Sequence, residues 1–515
     1  SLSQLGHACY TAYGLYSFMI ELLEARIAPA AVVTYTDIDG DKVTVKTSKG
    51  TEAELRSILI VSDLAPKAEV RQINFAAKAD IFAGTSLTIT VERGPNGDGQ
   101  AHVGFINATG MDLGKIKIAG DVGQIHVGSS VNSAPAFKSL TVASLGRFGL
   151  STQGGTGDLT SEIVGDTGKI TVRTDLTGVT LQSTGYLPAV QVSGSLKDST
   201  ISAGLGFGNI SISRGAFNSV IESPSTEASG KLQIGGSFLR GKISAGGNVK
   251  LISIAGDLVG GLTAGTGSIE VTGDVGKVQV GGSVIGNDVR DTGEISVGGD
   301  IRTVIIKGSL KGGNTSIGNE SSGAIIAGGD LGKVVIKGDV ISDSPNNSRG
   351  RSGHIIAEGR IGSVEIGGDI MILRANSGDS VQNGPAIRAG KDIGRVTIAG
   401  DVRGSVAFGL SPLKSIFITA YGEENPSPGR NLAIGKVTVG GSAVGLIVAA
   451  GFGITDSVFG FGDPAANPDA QIGTVSVQGN WSSSSIIAGV DTNGYEVGDA
   501  GNTMYPGGLQ ATVSS

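Results

Sequence analysis

The sequence predicts an all-β chain wound as a right-handed parallel β-helix (a solenoid) behind an N-terminal β-rich cap. Three observations predict it. A seven-residue unit recurs, reading apolar, any, apolar, any, Gly, Asp or Ser, apolar. The units come in doublets whose starts lie nine residues apart. Glycine is abundant, 87 of 515 residues, yet it lacks the every-third spacing of collagen and Pro is scarce.

Residues 1–30 differ in character from the rest of the chain. Tyr10, Tyr13, Tyr16 and Phe18 crowd a moderately apolar stretch, and Glu21 to Arg26 reads as a short amphipathic helix. Ala28-Pro29-Ala30 resembles a small-residue cleavage site, so the segment is either a leader or an amphipathic helix. It is too short to span a membrane, and no other stretch could. Over 31–110 the apolar residues alternate in Val32 to Tyr35, Lys42 to Lys46, Ser57 to Val61 and Ser86 to Glu92. Turns at Asp39-Gly40 and Pro95-Asn96-Gly97 separate them, which predicts strands and hairpins. Such a cap would cover the first coil, whose bare edge would otherwise invite pairing with other chains.

The solenoid is expected over 111–490, with a tail at 491–515. Ile252-Ser253-Ile254-Ala255-Gly256-Asp257-Leu258 and Val334-Val335-Ile336-Lys337-Gly338-Asp339-Val340 show the unit. Alternation of apolar residues with period two makes each unit a short strand. Its first, third and seventh residues should face inward, and Gly should form the corner by positive φ or close approach. Doublets at 243, 269, 295, 325, 355 and 387 are separated by 26, 26, 30, 30 and 32 residues. The constant inner spacing implies two fixed sides and a third that carries a loop of variable length. Stacked coils of about 28 residues would supply each other's backbone hydrogen bonds, in about 13 coils forming a rod about 60 Å long. Parallel crossovers favour the right hand.

Composition narrows the function. Net charge is −7, and Lys and Arg are scattered along the sequence, which argues against a nucleic-acid partner. One Cys permits neither an internal disulfide nor a zinc cluster. The four His are isolated from one another, and no P-loop, Rossmann or Ser-His-Asp pattern occurs in a convincing context.

Three stretches together resemble a group of large Gly-rich bacterial surface proteins with LEPR-XLL-type N-terminal segments. They are Leu23-Glu24-Ala25-Arg26-Ile27-Ala28-Pro29-Ala30, the hairpin Tyr35 to Asp41, and the solenoid repeat. The resemblance implies an extracellular or cell-surface location more than an activity.

Asp37, Asp39 and Asp41 place three carboxylates around Gly40, a candidate calcium site. An EF-hand would need Glu at its twelfth position, where Ser48 stands, so a solvated Asp-Gly hairpin is the plainer reading. The sixth position of the repeat, mostly Asp or Ser, could hold cations. The simpler expectation is that these side chains accept backbone N–H bonds at the corner. Loops at 311–324, 341–354 and 371–386 should project from one face, bearing Asp343, Arg349, Arg351, His354, Arg374 and Asp379. A carboxylate paired with Arg or His could work on a polysaccharide by acid–base chemistry. These loops lack aromatic platforms for sugar, however. The expected function is a structural or adhesive element holding surface polysaccharide or further copies of itself. A polysaccharide lyase or glycoside hydrolase, and a calcium-dependent assembly protein, are the alternatives.

Overall fold

A computed structural model describes residues 30–488, except 63–67, 131–134, 314–320, 344–350, 374–384, 405–414, 425–430, 454–466 and 468. It also gives the backbone of Val490–Asp491, Thr503–Met504 and Thr512–Ser514. The chain is a parallel β-helix with three-sided coils. One coil shows the plan: a long first side, Phe207–Ile212, a short second side, Ala216–Phe217, and a third side, Val220–Ser223. Each side pairs in parallel with the same side of the coils before and after.

The inward columns are continuous. On the third side Ile269 pairs with Ile295, Ile295 with Ile325, and Ile325 with Ile355, and all four are fully buried. On the first side the column runs Ile252, Val278, Val304, Val334, Val364 and Val396. Each doublet in the sequence is therefore a third side followed by a first side. No coil could bury these residues alone, so the core exists only between neighbours.

The Gly-Asp corners explain themselves across coils rather than within one. The Asp257 Oδ1 accepts the N–H of Ser283 (2.7 Å), and the Ser283 hydroxyl accepts the N–H of Ser309 (3.1 Å). Ser309, Asp339, Asp369 and Asp401 continue the ladder at 3.0, 2.8, 2.8 and 2.7 Å. A second ladder runs through Asn248, Asp274, Asp300 and Asp330 at the other end of the first side. The corner expectation thus holds, but with the partner one coil away. Glycine precedes each of these residues because the acceptor leaves no room. A Cβ at Gly282 would lie 2.0 Å from the Asp257 Oδ1, and one at Gly368 2.0 Å from the Asp339 Oδ1. Positive φ, the alternative reason, does not apply at these corners.

Some coils are shorter than any the spacing of the doublets suggests. Ile201, Ile221 and Ile243 are paired at intervals of only 20 and 22 residues. These coils turn from second to third side through a single left-handed residue, Asp198, Asn218 or Arg240. Beyond Arg240 the same corner swells into loops that re-enter through a left-handed glycine, at Gly267, Gly293, Gly323 and Gly353.

The cap is less purely β than expected. Ala31–Thr36, Lys42–Thr47 and Leu87–Glu92 form an antiparallel meander that extends the first-side sheet and then pairs in parallel with Leu113–Ile118. Of the strand expected over Ser57 to Val61, Leu59–Val61 is strand, while Ser57 and Ile58 close the helix Glu52–Ile58. The reason is local: Thr51 and Glu54 close a reciprocal capping box, a Thr-x-x-Glu signature. Leu55, Ile58, Phe75 and Phe82 bury under it, and the last two rings meet edge to face at 5.5 Å. Parallel stacking also begins before residue 111, since Val70–Asn74 already pairs with Val103–Thr109.

Candidate functional site

The loops leave the rod at one corner, where a buried hydroxyl ties each neck. The Thr292 Oγ1 accepts the N–H of Asn287 (2.9 Å) and donates to the Val289 carbonyl (2.7 Å). One coil on, the Ser322 Oγ accepts from Gly313 N–H (2.9 Å) and donates to the Asn287 carbonyl (2.8 Å). Ser352 repeats the bond to the Gly313 carbonyl at 3.1 Å. Loop length can therefore change while both ends stay pinned. The neck glycine is forced, because a Cβ at Gly293 would lie 2.3 Å from the Ile285 carbonyl.

Beside these necks, on the outer face of the third side, lies a groove of about 600 Å³. Glu270, Asp291 and Glu294 line it with Ser244, Thr272 and Ser296. Glu270 points outward from its strand and takes an ion pair from Lys242 at 2.6 Å. Glu294 is 5% exposed. Burial pushes it up to about 7, and the neighbouring charges of Asp291 and Glu270 push the same way. A hydrogen bond from Ser321 and the cation of Arg351 oppose them. The groove thus holds a carboxyl able to give or take a proton near neutrality beside one that pairs with a lysine.

Of the residues expected to carry chemistry, only Arg351 reaches this groove electrostatically; it pairs with Ser321 in a short ladder. His354 is 1% exposed and belongs to the wall, with its carbonyl taking the Ile325 N–H at 2.9 Å. Asp343 follows the strand Val340–Ser342, and it does not line the groove. Arg349, Arg374 and Asp379 lie outside the described residues. Glu294 gives no signal in the sequence, since its burial is created by loops and coils that meet only in space.

The three cap aspartates do converge: one oxygen of each lies within 4.8 Å of the others. They are not a solvated hairpin. Asp41 is fully buried, and its two oxygens accept the N–H groups of Gly94 and Gly99, each at 2.6 Å. Asp37 Oδ1 takes the N–H groups of Asp41 (2.7 Å) and Gly40 (3.1 Å). The Asp39 Oδ2 takes that of Asp98 at 2.8 Å. Burial and a hydrogen bond to Asp39 push Asp37 up to about 6, while the same bond holds Asp39 below the ordinary range. Calcium wants six to eight oxygens. Four of the six carboxylate oxygens here accept backbone N–H groups, so the cluster already has a structural task. It pins one turn of the cap to another.

Compared with protein-family models, curated proteins and solved structures, the chain finds no match. Among the described residues no helix is long and apolar enough to cross a membrane.

Proposed function

We propose that the chain is an exported structural or adhesive rod of the cell surface, presenting its corner loops to surface polysaccharide or to other copies of itself. The observation that carries this reading is the hydroxyl-tied neck column, Thr266, Thr292, Ser322 and Ser352, which fixes successive loops at one corner. Strand spacing sets those loops about 5 Å apart per coil, so weak single contacts add as multivalent ones. The first loop bears Leu262, 84% exposed, an apolar tip on an otherwise polar edge. Replacing residues 286–294 by the three-residue corner Asn218-Ser219-Val220 would test it. Adhesion to isolated cell surfaces should fall while the rod still melts cooperatively; undiminished adhesion would sink the reading.

A second reading, a polysaccharide lyase or glycoside hydrolase, is favoured by the Glu294 groove. Here Glu294 would be the acid–base residue and Glu270 or Asp291 the second carboxyl of the pair. New reducing ends or unsaturated products from a polysaccharide panel, abolished by Glu294→Gln, would establish it. No turnover on any member would remove it.

A further inference from the structure

The first side of the rod carries a face that neither reading uses. Its outward side chains form rows, and one row begins Lys115, Ser139, Lys169. After Ala189 and Asn209 it reaches Lys231, and further along it reads Lys333, Ser363, Arg395, Lys436. All six of these cations are exposed. From Leu113–Ile118 to Gln471–Val477, Glu365 is the only acid within the strands of this side. It is held by Lys333 at 2.9 Å and Arg395 at 3.6 Å. The chain as a whole has 46 acidic residues against 39 Lys and Arg, so a face of one sign runs against its composition. Cations scattered in the sequence are gathered by coiling.

The next outward row is neutral and hydrogen-bonding over six coils, Thr141, Thr171, Gln191, Ser211, Gln233 and Ser253, and then runs Gln279, Ile305, Val335, Glu365, Thr397 and Thr438. The acidic corner ladders flank the strip on both edges, with one oxygen of each Asp already accepting a backbone N–H. What remains is a flat, narrow, cationic track about 60 Å long at strand spacing.

We propose that this track binds a linear acidic polysaccharide, its anionic groups on the Lys and Arg row and its hydroxyls on the Thr, Ser and Gln row. This adds to the adhesive reading a second binding face, distinct from the corner loops, and names the charge of what it holds. Each exposed ion contact is weak and screened, and only a repeating ligand that engages many at once gains useful affinity. A nucleic acid would match the charge. It would also call for aromatic stacking or a groove-fitting shape, and among the described residues the outward rows of this side hold no aromatic ring.

The test uses the full chain and polygalacturonate, with dextran and duplex DNA as comparators, at about 50 and about 200 mM salt. Expected are saturable binding to polygalacturonate, a loss of at least about tenfold across that salt step, and none to dextran. A variant carrying Lys169→Gln, Lys231→Gln, Lys333→Gln and Arg395→Gln should weaken binding at least about tenfold while circular dichroism and melting stay unchanged. Lys231→Gln alone, should the fourfold variant not fold, should weaken it measurably. The proposal is overturned if polygalacturonate is not held, if both variants bind like the parent, or if duplex DNA binds more tightly. Replacement of the 286–294 loop tests the adhesive reading and should leave this binding intact, so either claim can fail alone.

Discussion

The coils just before Arg240, at Asp198 and Asn218, and those just after it, as far as Gly353, are built to two different plans. Before it, Asp198-Ser199 and Asn218-Ser219 turn the second side into the third with one left-handed residue, and the Ser199 and Ser219 hydroxyls bond back to the carbonyls of Lys197 (2.6 Å) and Phe217 (2.7 Å). After it, the order is inverted: a hydroxyl residue comes first, Thr292 or Ser322, and the left-handed residue, Gly293 or Gly323, comes second. The inward columns pass through both regions without a break. The lesson is that the core needs only a three-sided coil of about 20 residues. The longer coils between Gly260 and Gly353 are insertions hung on a hydroxyl and a glycine.

The sharpest way to break the second plan is Gly293→Ala. Its φ of +58° and its distance from the Ile285 carbonyl leave a methyl group nowhere to go. A loss of about 3 kcal/mol is expected from denaturant unfolding, whereas Asn218→Gly at the corresponding short corner should be nearly neutral.

Next in size is Glu294, which only the looped region possesses. Its carboxyl is raised from the ordinary value of 4.5 to about 7, so the folded state favours the protonated form. The stability it contributes is whole below pH 4.5, drains away as pH rises through 7, and does not recover above. Glu294→Gln should therefore raise the melting temperature at pH 8, by about 3 kcal/mol in stability at most, and change little at pH 4.

The corner ladder belongs to both plans and gives a smaller effect. Asp257→Ala orphans the Ser283 N–H and should cost about 1–2 kcal/mol. Gly282→Ala should be worse alone than in the Asp257→Ala background, where the oxygen it strikes is gone. Smallest of all is the replacement of 286–294 by the short corner, expected to shift stability by less than about 1 kcal/mol once the Glu294 contribution is set aside.

Much of the architecture was legible because two local signals agree with it. Period-two apolar residues mark the strands, and Gly-Asp marks the corners, from Ile243 to Ile398. The short coils escaped because Asp198, Asn218 and Arg240 share no residue type, only a backbone conformation. The helix Glu52–Ile58 was readable from Thr51 and Glu54, yet alternation through Ser57 to Val61 pointed to a strand. The candidate groove and the cationic track were not legible at all. Glu294 comes near Arg351, and Lys169 falls in one row with Lys231, only through coils of unequal length, and no fixed interval in the chain announces them.

The pinned neck has a consequence for cleavage. A protease that cuts between Asp288 and Arg290 severs the polypeptide, but Asn287 and Thr292 remain bonded to each other and to the coils on either side. The nicked molecule should stay assembled and migrate as one particle until denaturant parts its two halves. Such loops are places where the rod can be opened without being taken apart.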